Sequence, residues 1–590
     1  MTSIGEKRIY SAHEVLPSPI LARDKAPKRS RFTRVLIFTL IAVSLLWLQS
    51  CHSVNDYIVR PFKSSNKKVN IIFMISDGYG PASETFGRSF HQAVHHNTSP
   101  NANYKAPLDK LLIGSHRSRS SDSLITDSAA GATAFSCGLK SYNGAIGVDA
   151  KGELCGTVLE GAKEQGWLTG VVVTSRLSDA TPAAFFAHVA SRGQESDIAN
   201  EALGLMSNGT AYRDAPLDLA IGGGGCYFLP KSSPYSCRQD EQDLVGASKK
   251  KGWNTKILFN HDALKEGIES PSEFHADEAA ITHSAVDFKP EEAQAFMEED
   301  SQLPLLALLA PFNTPYEIDR KKSIPPLHSL ALKAINTLDR SPHNTQGFFV
   351  MIEGSQIDLC AHSNDPACHA REIAAYQKAI EEVQAWVDNK NKQGEKTILI
   401  STSDHETGGL TLGRQLTSDY PNYAYYPERL IPVQQSAASL SAHLIAFARQ
   451  PTPPRDDELE QFVRQETLGK NGAGFLPENG GQPSDEEVKA VLDCIPQTPS
   501  ALTPPPINTA DICRAVIADL ISRRVEVGWS TSGHTGVDVP VHASGPTKDV
   551  DGLRGNIENT HIGTFIANQL GIDLADLTKR LKKQRSQISH

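Results

Sequence analysis

The residues with types suited to chemistry fall in short, separated clusters. Ile75-Ser-Asp77-Gly-Tyr-Gly80 puts a carboxylate directly after an apolar run and ahead of glycines. There the chain can turn sharply and aim the side chain into a cleft, although a turn-forming aspartate sits in the same setting. Thr126-Asp127-Ser128-Ala-Ala-Gly-Ala-Thr-Ala134 sets a serine before small residues that can open a helix. Free N–H groups at a helix start attract anions, so a hydroxyl there is placed to attack phosphorus; the plainer alternative is an N-cap. Glu353-Gly-Ser-Gln-Ile-Asp358-Leu-Cys-Ala-His362 spaces Asp358 and His362 four apart, on one face of a helical turn. Asp with His suits Zn²⁺, and Glu353 suits a harder cation such as Mg²⁺. Asp404-His405, trailed by Glu406-Thr-Gly-Gly409, and Gly528-Trp-Ser-Thr-Ser-Gly-His534-Thr-Gly536 add further ligand types in loops.

Rigid elements must carry these side chains. Residues 69–76 are a short, nearly continuous apolar run, and similar runs recur at 170–174, 348–352 and 397–402 with helical patterns between them. Such alternation predicts an α/β fold on a buried parallel sheet. In such sheets ligands bind beyond the carboxyl ends of the strands, where the clusters above fall. Residues 410–530 are polar, Pro-rich and poorly periodic, and read as an insertion; 495–507 within them is a Pro-rich loop. The basic end, Lys579–Arg585, reads as a solvated helix end or tail.

Bulk properties exclude little but locate the chain. It has 590 residues, 39% hydrophobic and 21% charged, ordinary for a globular protein with a sizeable core. A net charge of −10 gives no sign of nucleic-acid binding. Residues 1–34 are nevertheless basic, and 35–51 are uncharged and mostly apolar. Lys and Arg directly before an apolar run mark a cytoplasmic flank. The segment is short for a span, but a 34-residue leader is too long for an ordinary signal peptide. The expectation is an uncleaved signal-anchor helix with everything beyond about residue 52 across the membrane, the alternatives being a cleaved signal or a lipoprotein signal ending at Leu48-Gln-Ser-Cys51. Asn97-Thr-Ser99 and Asn208-Gly-Thr210 are glycosylation acceptors consistent with that side. Eight of the nine cysteines follow the anchor; Cys226 with Cys237 and Cys494 with Cys513 are local pairing candidates, with free thiols as the alternative.

Taken in order, the clusters resemble the alkaline phosphatase family. The matching residues are Asp77-Gly; Thr126-Asp127-Ser128-Ala-Ala-Gly-Ala-Thr-Ala134; Asp179-Ala-Thr181-Pro through His188 to Arg192; Glu353 through Asp358; Ser403-Asp404-His405-Glu-Thr-Gly-Gly; and Ser532-Gly-His534-Thr-Gly. The resemblance implies a three-layer α/β sandwich with a large, mostly parallel central sheet over residues 69–580, behind the 1–34 tail, the 35–51 anchor and a 52–68 stalk, with 581–590 as a basic tail. It implies hydrolysis of small phosphomonoesters, with phosphoproteins as a further substrate class, through a phosphoserine on Ser128. It also implies two zinc ions, one on Asp358, His362 and His534 and one on Asp77, Asp404 and His405. One magnesium would sit on Asp77, Thr181 and Glu353, with Asp179 bonded to its waters. Arg192 would grip the phosphate and Asp127 orient it. Leu359 departs from the family, in which Lys or His often follows the metal aspartate. The family also implies a homodimer, and its fungal vacuolar members share the anchor layout, which implies a vacuolar membrane with the catalytic domain in the lumen. Diesterases and sulfatases of the same superfold often use Thr, or a modified Cys or Ser, as nucleophile; Ser128 with Arg192 favours a monoesterase over these and over a non-catalytic binding protein.

Overall fold

The computed structural model describes residues 68–95, 103–260, 289–495 and 509–588. Its frame is a ten-stranded sheet. The strands are β1 (Val69–Ile75), β2 (Leu112–Arg117), β3 (Leu168–Arg176), β4 (Leu219–Gly223), β5 (Asn254–Ile257), β6 (Leu305–Leu308), β7 (Gly347–Glu353) and β8 (Lys396–Thr402). After the two-residue strands β9 (Glu406–Thr407), β10 (Thr411–Leu412), β11 (Val527–Gly528) and β12 (His534–Thr535) come β13 (Val539–Ser544) and β14 (Gly555–Glu558). The sheet order is β14-β2-β13-β8-β1-β7-β3-β4-β6-β5. Only β13 runs against the others; its neighbours β2 and β8 pair with it antiparallel, and the remaining pairs are parallel.

Alternation along the central strands builds two apolar layers. Ile72 and Met74 of β1 join Phe348, Val350 and Ile352 of β7 on one face. Ile71, Phe73 and Ile75 join Phe349 and Met351 on the other. A strand buried on both faces must be apolar at every position, which is why these strands read as continuous runs. Helices Leu327–Arg340 and Pro366–Lys392 cover the first face with Leu330, Ile335, Leu338, Ile373, Ile380 and Val383. Helices Ser128–Cys137, Val158–Glu164 and Asn559–Leu570 cover the second. The α/β fold with a mostly parallel central sheet therefore stands as expected.

Other features the sequence did not resolve. Strand β2 is half-exposed, and β13 carries Pro540 and His542, so neither shows a clean apolar run. The 410–530 stretch holds helices Ala437–Ala448, Asp456–Phe462, Asp485–Asp493 and Thr509–Val525. Leu440, Leu444, Val463, Val488, Val491, Ile517 and Ile521 bury against the first core layer. At its base β10 and β11 pair, Leu412 opposite Val527. The basic end is helix to Ile588: Leu581 is buried, and Arg585 pairs with Glu201 at 3.0 Å. Among the described residues four disulfides form: Cys137–Cys155, Cys226–Cys237, Cys360–Cys368 and Cys494–Cys513. Among the described residues no helix is long and apolar enough to cross a membrane; the 1–34 tail, the 35–51 anchor, nearly all of the 52–68 stalk and Asn97 lie outside them.

Candidate metal centre and nucleophile

The site lies at the carboxyl ends of β1, β7 and β8, the three strands at the middle of the sheet. Asp77 follows β1, Glu353 ends β7 and Asp404 follows β8. Chain crossings here are tight. Gly78 has φ +76°, and a Cβ there would fall 2.6 Å from the Asp358 Cα. A Cβ on Gly131, in the Ser128 helix, would meet that of Asp404 at 3.0 Å. Glycine at these points lets the β1 turn and the serine helix close onto the same spot.

Ser128 opens helix Ser128–Cys137, and Asp127 caps it, accepting from Ala130 N–H at 3.0 Å and Gly144 N–H at 2.8 Å. The Ser128 hydroxyl lies 3.0 Å from His405 Nε2. His405 is fully buried; its Nδ1 is 3.1 Å from Thr407 Oγ1, and the Thr407 hydroxyl donates to Asp358 Oδ1 at 2.5 Å. With the threonine hydrogen committed to Asp358, the imidazole donates at Nδ1 and turns its Nε2 lone pair toward the serine. The other two histidines are set the same way. His534 Nδ1 faces the Thr126 carbonyl at 2.8 Å, and His362 Nδ1 faces the Ser532 carbonyl at 2.6 Å. All three rings thus aim Nε2 at one place, as second-shell acceptors impose on metal-binding histidines.

Two ligand groups result. Asp77, Asp404 and His405 form one, and Asp358, His405 and His534 the other. His362 stands beside the second, its Nε2 3.2 Å from Asp358 and 3.1 Å from His534 Nε2. The His405 ring stacks on His534 at 3.5 Å, so one imidazole borders both groups. Thr181 donates to Asp77 Oδ2 at 3.4 Å. Arg192, 39% exposed, reaches Asp179 at 3.0 Å and Asp127 at 3.4 Å. The structure thus brings the sequence-predicted site residues together beyond these strand ends; Leu359, the departure from the family pattern, packs instead against the apolar group of Tyr316, Cys360 and Cys368. Thr407 and the carbonyls of Thr126 and Ser532 were missed. Thr407 lies inside a quoted motif, but a hydroxyl in a loop carries no signal of its own, and carbonyls carry none.

Electrostatics test whether cations fit. Buried Asp77 Oδ1, Glu353 Oε2 and both Asp404 oxygens have no hydrogen-bond partner. Burial first, then Asp404 and Asp358, pushes the Asp77 carboxyl well above its ordinary range. Burial, then Asp179 and Asp404, does the same to Glu353, and burial with Asp358 lifts Asp404 to about 7. Asp358 raises the His362 imidazole to about 9. Buried carboxylates without partners are costly, and each of these shifts asks for positive charge at the same place. Oxygen and imidazole donors converging on unsatisfied points are the donor set divalent cations take.

A family model described as alkaline phosphatase matches residues 68–572. The repressible alkaline phosphatase of Saccharomyces cerevisiae is 36% identical over 577 residues, covering 95% of this chain and 91% of that protein. An alkaline phosphatase of Schizosaccharomyces pombe is 38% identical over 525 residues, covering 88% and 85%. Among solved structures, a cold-active alkaline phosphatase from Shewanella sp. superposes with a TM-score of 0.62 at 28% identity, covering 85% of this chain and all of that one.

Proposed function

The chain belongs to the alkaline phosphatase family and is a phosphomonoesterase, and on that premise we propose that Ser128 is the nucleophile of a metal-dependent, two-step hydrolysis. The observation that carries this reading is the Ser128 hydroxyl at the head of a helix, 3.0 Å from His405 Nε2, over carboxylate oxygens that no protein group satisfies.

Arg192 presents a planar fork matched to two phosphate oxygens. Asp179 and Asp127 hold the fork from behind; burial alone would lower its basicity, but these carboxylates keep it firmly charged. The helix start adds N–H groups toward the same anion. Ser128 Oγ gives up its hydrogen to solvent and forms a bond to phosphorus as the ester oxygen departs with its electron pair and takes a proton from water; the products are a phosphoserine and the free alcohol. Water then attacks the same phosphorus and releases inorganic phosphate, with the Ser128 oxygen as leaving group and the hydroxyl restored. Dividing one displacement into two lowers each barrier.

Asp358, His362 and His534 would hold one zinc, and Asp77, Asp404 and His405 a second. Asp77, Thr181 and Glu353 would hold magnesium, with Asp179 facing its waters. Bound there, the cations supply charge to the attacking and leaving oxygens of an in-line displacement.

The same reading places the catalytic domain in the vacuolar lumen behind a signal anchor, as a homodimer. Its support is the basic-then-apolar N-terminal sequence and the four disulfides, which suit an oxidising compartment. Co-fractionation with the plasma membrane would sink that placement.

The test is phosphate release from p-nitrophenyl phosphate by the purified chain before and after chelation, with metal content measured alongside. Ser128→Ala loses turnover by about 10⁴-fold or more while retaining zinc and magnesium. Wild-type turnover in that variant removes Ser128 from the mechanism; faster turnover of a diester or a sulfate ester than of the monoester removes the proposed specificity.

A further inference from the structure

A second cluster of buried charge sets the segment that carries Arg192. Ile146 and Val189 exchange backbone hydrogen bonds at 3.0 Å each way, and Arg192 N–H donates to the Gly144 carbonyl at 2.7 Å. Segment 144–147 thus lies between the arginine and the serine helix. Gly144 N–H donates to Asp127, and Gly147 N–H donates to Thr133 Oγ1 at 3.1 Å, inside helix Ser128–Cys137. The contact is close enough to demand glycine: Gly147 has φ +57°, and a Cβ there would fall 2.1 Å from the Ala187 carbonyl oxygen.

His188 ties this spacer from the arginine side. Its Nδ1 lies 2.8 Å from the Gly147 carbonyl and its Nε2 2.8 Å from Glu160 Oε1. Glu160 also pairs with Arg213 and accepts from Thr157 N–H at 2.9 Å. Arg213 donates to the Phe186 carbonyl at 2.6 Å, and Glu201 accepts from His188 N–H at 3.1 Å. The His188 side chain is 1% exposed, so it meets no substrate.

We propose that His188, held by Glu160, is a positioning residue that sets the spacing between Arg192 and Ser128 by locking the arginine segment onto Gly147. The inference rests on Arg192 being the phosphate-binding fork. A buried histidine that only fills the core would affect stability alike whether or not Arg192 is present; one that acts through Arg192 would lose its effect on phosphate when the arginine is gone.

That difference is measurable in the full, metal-loaded chain as a double-mutant cycle on the inhibition constant of inorganic phosphate and the KM for p-nitrophenyl phosphate. His188→Asn keeps a donor near Gly147 and drops the bond to Glu160. Alone, it raises both constants about tenfold, with a smaller change in kcat, because displacing a binding group by a fraction of an ångström weakens its contact. Added to Arg192→Ala, it changes neither constant further. An equal factor in both backgrounds, or unchanged constants with only a lowered Tm, overturns the proposal. Unchanged phosphate inhibition in Arg192→Ala overturns the arginine reading itself, and this inference with it. Should His188→Asn not accumulate as folded protein, Glu160→Gln taken through the same cycle decides by the same criterion.

Discussion

Two clusters of buried charge converge on the helix Ser128–Cys137, and they are satisfied in opposite ways. Around Glu160, both carboxylate oxygens have protein partners: Arg213 answers the charge, and His188 and the Thr157 N–H donate hydrogen bonds. Around Asp404, neither oxygen has a hydrogen-bond partner, with His405 Nε2 3.3 Å from one of them, and Asp77 and Glu353 each leave one oxygen without a partner. Both clusters are almost entirely shielded from water. A buried cluster whose carboxylate is fully paired is closed and serves to hold backbone in place. A buried, unpaired one is open, and its cost persists only where something from outside supplies the missing charge. Buried charge does not by itself mark the chemistry; the unsatisfied balance does.

Asp404→Asn breaks the comparison most sharply. If Asp404 holds a cation as proposed, turnover of the metal-loaded variant falls about 10³-fold, the several kcal/mol that cation stabilisation of the transition state supplies. In chelated protein the same change removes a repelling buried carboxylate, so Tm rises. Thermal melts with and without chelator check the reversal of sign; a fall in Tm under both conditions would mean that the Asp404 oxygens have protein partners after all.

Glu160→Gln does not reverse. Burial alone would raise the Glu160 carboxyl, but His188 and Arg213 hold it down at about 2, below its ordinary 4.5. A carboxyl depressed in the folded state contributes stability above its unfolded value and loses it as pH falls toward the folded one. The contribution, up to about 3 kcal/mol, is therefore present above about pH 4.5 and fades between there and pH 2. Unfolding free energies from pH 2 to 7 should show wild type and Glu160→Gln far apart at neutrality and converging in acid, with or without metal.

The smallest effect belongs to charge pairs that water already satisfies. Lys489 and Asp493 pair at 2.6 Å with side chains 72% and 62% exposed. Lys489→Ala should shift stability by a few tenths of a kcal/mol at most, with activity unchanged. A shift comparable to that of Glu160→Gln would show that pairing matters here irrespective of burial.

The sequence carried much of the site. Asp77, Glu353 and Asp404-His405 were legible because they end strands that read as apolar runs, and strand ends are where an α/β sheet places its ligands. Strands β2 and β13 were not legible: one is half-exposed, the other carries Pro540 and His542, and neither has a pattern to detect. The helices of the 410–530 stretch were hidden for another reason. They are short, separated by Pro- and Gly-rich turns, and their apolar faces become a pattern only against the core they join.

By itself, then, the sequence determined the fold class through the periodicity of its strands, and its ordered motifs, through their resemblance to alkaline phosphatases, pointed to the type of reaction and to the side chains expected to carry it. Only the tertiary structure decided which way those side chains face and which of them remain unsatisfied. Ring orientation at His362, His405 and His534 is set by Ser532, Thr407 and Thr126. Two of those three partners lie more than a hundred residues away along the chain, and what acts in them is a backbone carbonyl, a group every residue has and no sequence can single out. The same holds for the contrast between Asp404 and Glu160: each is one acidic letter, and whether its charge is answered inside the protein depends on what folding brings within 3 Å.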